Sequence, residues 1–300
     1  MVQTLVGMIN YYKNACTQPE TFKQLFCKEL LFVYYDCPLG SNRQDSWSEL
    51  NYILYVVTGK KVFYAHPKSW LIGEGSAVFV KKGGCILEKI QGEDLCLMAF
   101  FIPDNYIQSF LIESKLRIQP FDYLPEKSDI VIPLDVNETM LAFYNSVQPY
   151  FSAVVKPPEA MLELKFKELL FNIIANPKNV TLVNYLNTLL LPQANTIQPI
   201  VEANFCYNLS LQDYAALCNR SLSSFKRDFQ THYKMPPARW LLQKRLEFAK
   251  QLLLYPNKTI VDVAFESGFE DCSHFSHSFK KHFTISPLKY RQDKLASGSV

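Results

Sequence analysis

Short polar and basic side chains recur at matching places in two segments of the last hundred residues. On a helix that buries Phe225, a group of side chains points away from that ring, about 100° to 200° around the axis: Ser223, Lys226, Arg227 and Gln230. The same geometry around Phe275 selects Ser273, Ser276, His277 and Lys280. Such side chains fit the major groove of DNA and carry hydrogen-bond donors for bases and phosphates. The chemistry that they indicate is recognition of DNA.

The two helices belong to an internal repeat. Residues 210–220 align with residues 259–269 at an offset of 49, and one inserted residue then changes the offset to 50. The matched pairs are Ser210 with Thr259, Leu211 with Ile260, Asp213 with Asp262, Ala215 with Ala264, Phe225 with Phe275, Phe229 with Phe279, Tyr233 with Phe283, Pro237 with Pro287, and Trp240 with Tyr290.

Each copy of the repeat has the parts of a helix-turn-helix motif. A Ser or Thr caps a short first helix, in which a small alanine lets the second helix pack closely. The turn holds Asn219 in one copy and Gly268 in the other, and both residue types tolerate a positive φ. We predict motifs over about 209–233 and 259–283, joined by a long amphipathic helix over 237–254.

The charge distribution sets the same region apart. Residues 201–300 carry 14 Lys and Arg against 9 Asp and Glu, whereas residues 1–200 carry 17 against 19. Four of the five histidines also lie in the last third of the chain. A basic segment joined to a slightly acidic body is typical of a DNA-binding domain attached to a second domain. Double-stranded DNA is therefore the expected partner.

The first half of the chain follows another pattern. From Leu30 to Ile102, short runs rich in Val, Ile, Phe and Tyr alternate with turn signals, which predicts an antiparallel barrel or jelly roll. Asp104 and Asn137 can each cap a following helix. A further helix over 157–174 has an apolar stripe wider than one core face needs. That stripe fits either packing on the barrel or a helix pair in a dimer.

Several classes of protein are excluded by what the sequence lacks. No apolar run approaches the roughly 18 residues of a membrane span, and the N-terminus has no basic segment ahead of an apolar block, so we expect a cytoplasmic protein without a membrane partner. The eight cysteines form no C-x-x-C pair, so neither zinc nor a disulfide framework is expected. Without a P-loop, G-x-S-x-G or G-x-G-x-x-G motif, we expect no cofactor and no enzyme.

The last hundred residues resemble the AraC/XylS family of bacterial transcription regulators. The resemblance rests on TIVDVAFESGFEDCSHFSHSFKKHFTISPLKYR from Thr259 onward, preceded by SLSSFKRDFQTHYKMPPARWLLQKRLEFAKQLL over 221–253. It implies two recognition helices that enter successive major grooves on one face of the duplex. It implies base contacts by Ser223, Lys226, Arg227, Cys272, Ser273, Ser276 and His277, of which the helix geometry above does not select Cys272. Contacts with phosphate are expected from Gln230, Lys280, Lys281 and His282.

The chain departs from the family pattern at three positions. His277 stands where the family usually has arginine, so bidentate reading of guanine is not expected there. Lys234 and Thr284 replace the glycine that commonly follows each recognition helix. We therefore expect both helices to end without the usual left-handed glycine cap.

The N-terminal region is similar to the cupin-like sensor and dimerisation half of the same family. A metal-dependent cupin needs several histidines, and His66 is alone in the first 200 residues, so no metal is expected. The predicted α+β organisation is a cupin-like sensor and dimerisation domain over 1–190, a linker over 191–196, an all-α DNA-binding domain over 197–293, and a disordered tail over 294–300.

The predicted function is that of a sequence-specific transcription regulator, favoured as an activator. Its N-terminal domain is expected to sense a small molecule or a protein, and to form a homodimer through helices in 138–175. RNA polymerase is a further expected partner. The alternative is that the N-terminal domain is a ligand-free module that dimerises or binds an anti-activator, which the lack of convergent charged residues in its strands favours.

Overall fold

The computed structural model describes residues 8–36, 43–90, 94–114, 129–191 and 197–296. The chain divides into two compact units, Met1–Ala194 and Asn195–Val300. The first unit combines strands and helices, and the described part of the second unit contains helices and no strand. The predicted α+β class is therefore confirmed. Of the predicted linker over 191–196, all but its first residue lies outside the described residues.

The first unit holds two antiparallel sheets, to one of which a short parallel strand is added. Its strands are β1 (Ile9–Asn10), β2 (Lys23–Cys27), β3 (Leu30–Asp36), β4 (Arg43–Ser48), β5 (Asn51–Thr58), β6 (Lys60–Ala65), β7 (Lys68–Gly73), β8 (Ala77–Val80), β9 (Gly83–Lys89), β10 (Cys96–Ile102) and β11 (Val131–Leu134). One sheet has the order β11-β8-β5-β10-β3-β2, and the other has the order β1-β4-β9-β6-β7.

The six-stranded sheet is buried on both faces, which explains its continuous apolar runs. On its central strand β10, Met98 and Phe100 face the core shared with the helices. The alternate residues Leu97, Ala99 and Phe101 face the core shared with the five-stranded sheet. The first unit therefore has three layers, with this sheet in the middle.

The strands form two open sheets, so the prediction of a closed barrel is wrong. In the described residues, no strand of one sheet pairs with a strand of the other. The runs that became β3, β5, β6, β8 and β10 were identified from their apolar and β-branched residues. The strand β4, RQDSWS, has almost no such residues, and it is a strand because it pairs with β9 and with β1.

The helices of the first unit lie on different sides of the six-stranded sheet. The first, α1 (Tyr11–Thr17), adds Tyr11 and Ala15 to the core between the two sheets. The outer face of the six-stranded sheet is covered by α2 (Asp104–Glu113), α3 (Glu138–Val147), α4 (Glu159–Ala175) and α5 (Val180–Thr188).

The two predicted helix caps of the first unit have different outcomes. Asn137 caps α3, as predicted, by accepting from the backbone N–H of Met140 over 3.0 Å. Asp104 does not cap α2, because the cap position is Pro103. Its carboxylate instead accepts from the side chains of Asn51 and Lys82, each over 2.6 Å.

The wide apolar stripe of α4 is divided between the core and the surface. Its core-facing side chains are Leu162, Phe166, Leu169, Leu170 and Ile173. On the other side of the helix, the exposed large apolar side chains are Met161, Leu164 and Phe171. Packing on the sheet therefore accounts for only part of the stripe.

The second unit repeats one helical arrangement. Its helices are α6 (Ile197–Asn204), α7 (Leu211–Leu217), α8 (Leu222–Tyr233), α9 (Pro237–Leu252), α10 (Ile260–Glu266), α11 (Cys272–Phe283) and α12 (Pro287–Ala296). Because α12 runs to Ala296, it covers the first three residues of the predicted disordered tail, and the remaining four lie outside the described residues.

The predicted caps and turns of the repeat are confirmed. Ser210 caps α7 and Thr259 caps α10, each in a reciprocal capping box with the aspartate three residues later. Asn219 and Gly268 have positive φ values of 53° and 87°. Both turns then close in the same way, since the N–H of the next residue donates to the carbonyl of the matched buried alanine.

Two absences hold for the described residues. None of their helices is long and apolar enough to cross a membrane. Among the same residues, no three His, Cys, Asp or Glu side chains come together in a way that could hold a metal ion.

Candidate nucleic-acid interface

The outer face of α8 is polar, and it points to solvent because the opposite, apolar face of the helix is buried. Ser221 caps the helix by accepting from the N–H of Ser224 over 3.2 Å. The rings of Phe225 and Phe229 are fully buried, and they hold one face of α8 against its neighbours. On the opposite face, all four predicted contact side chains are exposed: Ser223, Lys226, Arg227 and Gln230.

The arginine of this face has a local partner. The side chain of Arg227 is 75% exposed, with Nε 3.2 Å from Oδ1 of Asp228. One Nη of Arg227 lies 3.4 Å from the Ser224 hydroxyl. The other carboxylate oxygen of Asp228 accepts from Arg220, which lies in the turn before α8. The guanidinium of Arg227 is therefore held close to the helix while most of it stays in solvent.

The pair formed by Arg220 and Asp228 is absent from the second copy. At an offset of 50, Asp228 corresponds to Ser278, which is buried. Neither member of this pair is among the contact residues predicted from the sequence. The sequence shows that Asp228 directly follows an arginine on a helix, which indicates a local ion pair. It does not show the contact with Arg220, because that residue is eight positions earlier and is brought close only by the turn.

The outer face of α11 is built in the same way. Asp271 caps the helix, and its carboxylate accepts from the backbone N–H groups of Ser273 and His274 over 2.8 and 2.9 Å. These hydrogen bonds lower the pKa of Asp271 from its ordinary value of 3.8. The anion therefore satisfies the first free N–H groups of α11 and faces the positive end of the helix dipole.

The predicted contact residues of α11 differ in accessibility. Ser273, His277, Lys280 and Lys281 are exposed, and Ser276 is half-buried. Cys272 is half-buried and packs against the core of the second motif. This position agrees with the helix geometry, which does not select Cys272. The roles of all these residues in DNA contact, with that of Ser276, stay predictions.

His282 lies on the side of α11 that faces α9. Its Nε2 is 3.9 Å from a carboxylate oxygen of Glu247. Its ring makes an edge contact with Phe283, with 4.7 Å between centroids. All three predicted phosphate contacts at the end of α11, Lys280, Lys281 and His282, are exposed, and His282 also lies near Glu247 of α9.

Both recognition helices end in a left-handed residue, and neither residue is glycine. Lys234 has a φ of 56° and Thr284 a φ of 67°. Their N–H groups donate to the carbonyls of Gln230 and Lys280 over 3.0 and 2.9 Å. The expectation that the left-handed cap would be lost is therefore wrong. The backbone keeps the cap geometry, and lysine and threonine bear the steric cost.

Comparison with known families covers both units. The model described as the ExsA N-terminal regulatory domain matches residues 51–185, and the model described as a helix-turn-helix domain matches residues 214–293. The chain belongs to the AraC/XylS family of transcription regulators. It is a regulator and not an enzyme, with a regulatory domain ahead of a helix-turn-helix DNA-binding domain.

Relatives align with most of the chain. The transcriptional regulator ExsA of Pseudomonas aeruginosa is 23% identical over 272 residues, which are 91% of this chain and 96% of that protein. The thermoregulatory protein LcrF of Yersinia pestis is 23% identical over 247 residues, or 81% of this chain and 90% of that protein. Among solved structures, ToxT of Vibrio cholerae is 15% identical, with a TM-score of 0.39, over 88% of this chain and 98% of that chain.

Proposed function

We propose that this AraC/XylS-family protein recognises one specific double-stranded DNA site by placing α8 and α11 in successive major grooves. The observation that carries the proposal is the equivalence of the two outer faces. Each lies opposite a pair of buried phenylalanines and behind a capped N-terminus, and each presents short polar and basic side chains. A solvated face on one helix would be unremarkable, but matched faces on both copies of a basic domain favour DNA contact.

Base reading and phosphate binding divide among the residues of these faces. On α8, Ser223, Lys226 and Arg227 read base edges, and Gln230 contacts phosphate. On α11, the base-reading group is Cys272, Ser273, Ser276 and His277, and the phosphate-binding group is Lys280, Lys281 and His282. Arginine offers a planar fork that matches the two acceptors of guanine, whereas histidine does not. The first helix therefore supplies the stronger discrimination between bases.

The N-terminal domain adds dimerisation and regulation to this DNA-binding domain. We assign the dimer contact to the helices within 138–175, since α3 and α4 leave Leu141, Met161, Leu164 and Phe171 exposed beside a complete core. The protein then acts in the cytoplasm as an activator, with RNA polymerase as a partner at the promoter. The proposed domains are a cupin-like sensor domain over 1–190, a linker over 191–196 and a DNA-binding domain over 197–293.

Two regulatory roles remain open for the N-terminal domain. It can bind a small-molecule or protein effector, or it can act without a ligand as a dimerisation or anti-activator-binding module. The apolar outer side of α4 supports the second role. Lys61 of β6 is 1% exposed and lies 5.8 Å from the ring of Tyr11, and one buried lysine is compatible with the predicted lack of convergent charged residues in the strands. A buried cation between the sheets is a feature that an anionic effector could use.

The proposal is tested by selecting DNA with the full-length chain. The chain is incubated with a library of random duplexes of ~40 base pairs, which is long enough for two half-sites about one helical turn apart. Repeated recovery of the bound fraction should enrich one sequence with two conserved segments. Arg227→Ala should then weaken binding by about 1–3 kcal/mol and relax selectivity at one base position. Arg239→Ala on α9 removes an exposed arginine that is outside both outer faces, and it should leave base preference unchanged. Recovery of unrelated sequences by the wild type would overturn the proposal.

A further inference from the structure

Residues 205–208, which we call the junction, connect α6 to α7 ahead of the first helix-turn-helix motif. The first motif holds the junction at its start, where the hydroxyl of Tyr214 donates to the carbonyl of Asn204 over 2.7 Å. The rings of Phe205 and Phe248 also meet edge to face, with 5.5 Å between centroids. The junction is therefore fixed both to α7 and to the long helix α9.

Arg245, from the middle of α9, makes the main contact with the junction. Its Nε donates to the carbonyl oxygen of Phe205, and one Nη donates to that of Tyr207, both over 2.8 Å. These carbonyls belong to a connection between helices, and that of Tyr207 also accepts from the backbone N–H of Leu209 over 2.9 Å. One planar side chain thus satisfies two backbone acceptors that are two residues apart.

The second motif touches the same junction at its turn. A Cβ on Gly268 would lie 2.8 Å from the carbonyl oxygen of Cys206 and 3.0 Å from Nε of Arg245. The turn of the second motif therefore lies directly against the junction and its arginine. Two residues later, Glu270 accepts a hydrogen bond from the side chain of Asn208. Glu270 is the residue by which the second copy of the repeat is longer than the first.

These contacts make the junction the place where both motifs and α9 meet. α9 connects the two motifs along the chain, but this single connection attaches each motif at only one end and leaves their relative rotation unrestrained. Arg245 and the turn at Gly268 add a second point of attachment, which restrains how the second motif rotates relative to the first. Two recognition elements engage one duplex together only if their relative geometry is already close to what the DNA requires.

We propose that Arg245 is a positioning residue that holds the two recognition helices at the separation and rotation needed to occupy successive major grooves at once. The proposal rests on the proposed function, because it assumes that both helices read DNA. Arg245 itself touches no DNA in this account. Its effect is to raise the effective concentration of the second helix at its half-site, the stretch of duplex that one helix reads, once the first helix is bound.

The experiment uses the full-length chain and the duplex that the wild-type protein enriches from the random library. Its derivatives are duplexes with one or the other half-site scrambled, and duplexes with extra base pairs inserted between the half-sites. Affinities are measured by fluorescence anisotropy at one salt concentration, because salt alone changes them strongly. The quantity compared is the ratio of the affinity for the full site to the affinity for a single half-site.

For the wild type, this ratio should be at least about 100, as expected for two linked modules in a suitable geometry. Arg245→Met should reduce the ratio at least about tenfold while changing the single half-site affinities less than about twofold. Arg245→Lys should be intermediate, because one ammonium cannot serve both carbonyls in the geometry of a guanidinium. Arg239→Met, the matched loss of an exposed arginine from α9, should leave the ratio at the wild-type value.

The inserted duplexes give a readout that general loss of stability does not move. One inserted base pair rotates the second half-site by about 34°. The wild type should lose affinity sharply at the first insertion, whereas Arg245→Met should lose less. Gly268→Ala provides a second variant, since its methyl group must displace the Cys206 carbonyl, and it should lower the ratio without removing the arginine.

The two proposals fail in different ways. If the wild type enriches no sequence, the proposed function is wrong. If the wild type enriches a two-part site but Arg245→Met keeps the wild-type ratio and spacing preference, the positioning role is wrong. A loss in Arg245→Met that is equal for full and single half-sites would also overturn it, because that result describes a misfolded or destabilised domain.

Discussion

Arg227 and Asp228, adjacent on α8, form an ion pair in which the arginine Nε lies 3.2 Å from the aspartate Oδ1. The arginine is mostly in solvent, and the aspartate is held from its other side by Arg220. The residue with the greatest capacity to read a base is thus placed beside a negative charge. In the proposed DNA complex this carboxylate competes with the acceptors on the bases for the guanidinium.

Asp228→Asn should increase affinity for DNA. Removing the carboxylate releases Arg227 and lowers repulsion of phosphates, and the expected gain is about two- to fivefold because exposed ion pairs contribute about 0.2–1 kcal/mol. Titrations over a range of salt concentrations would measure it. Asp293→Asn on α12 removes another exposed, paired carboxylate and should have no comparable effect. Weaker binding by Asp228→Asn would instead mean that the carboxylate orients Arg227 for contact.

The left-handed ends of α8 and α11 predict that glycine stabilises the protein there. Lys234→Gly and Thr284→Gly should each raise the free energy of unfolding by about 0.5–1 kcal/mol, since glycine adopts the observed φ without a steric cost. Thr284→Gly should give the larger gain because threonine is β-branched. Urea denaturation checks both variants. Thr231→Gly, inside α8, should destabilise by about 0.3 kcal/mol, and stabilisation by all three would contradict this account.

These caps show where sequence patterns were sufficient and where they were not. The helices, caps and turns of the second unit follow from local signals, such as Ser210 and Asp213 at capping-box spacing or Asn219 at a turn. The left-handed conformation of Lys234 is set by how α8 must end before Pro236 and Pro237, and the residue type gives no sign of it. The absence of glycine therefore wrongly predicted the loss of the left-handed cap, because the backbone adopts that conformation with lysine or threonine at the position.

The first unit was less predictable because its decisive interactions join residues far apart in sequence. The apolar runs predict β5 and β10, but β4 is a strand through its pairing with β9 and β1. Whether strands close into a barrel depends on the pairing of edge strands, which no local pattern specifies. At the candidate site the outward faces followed from helix geometry, whereas the contacts of Arg245 with the junction depend on tertiary packing across 38 to 40 residues.

The cap at Asp271 should make the stability of the DNA-binding domain depend on pH. Hydrogen bonds to the carboxylate lower its pKa in the folded state below 3.8. Its contribution is therefore complete well above pH 3.8 and is lost as the pH falls through the folded-state pKa. Asp271→Asn keeps an oxygen that can cap but has no charge to lose. The difference in unfolding free energy between wild type and Asp271→Asn should favour the wild type near neutral pH and decline in acid, to about pH 3. A difference that does not change over this range would contradict this assignment.

The exposed apolar side of α4 predicts the oligomeric state. Leu164 is 68% exposed on α4, and Leu71 is 63% exposed on β7, so both can be changed to glutamate at little cost to the core. If the helices within 138–175 form the dimer, Leu164→Glu should convert it to a monomer, because an unpaired charge would be buried at the contact. Leu71→Glu should remain a dimer. Light scattering coupled to size-exclusion chromatography measures the mass, and thermal unfolding verifies that both variants fold. A wild-type monomer, or a Leu164→Glu variant that stays dimeric, would remove the dimer contact from these helices.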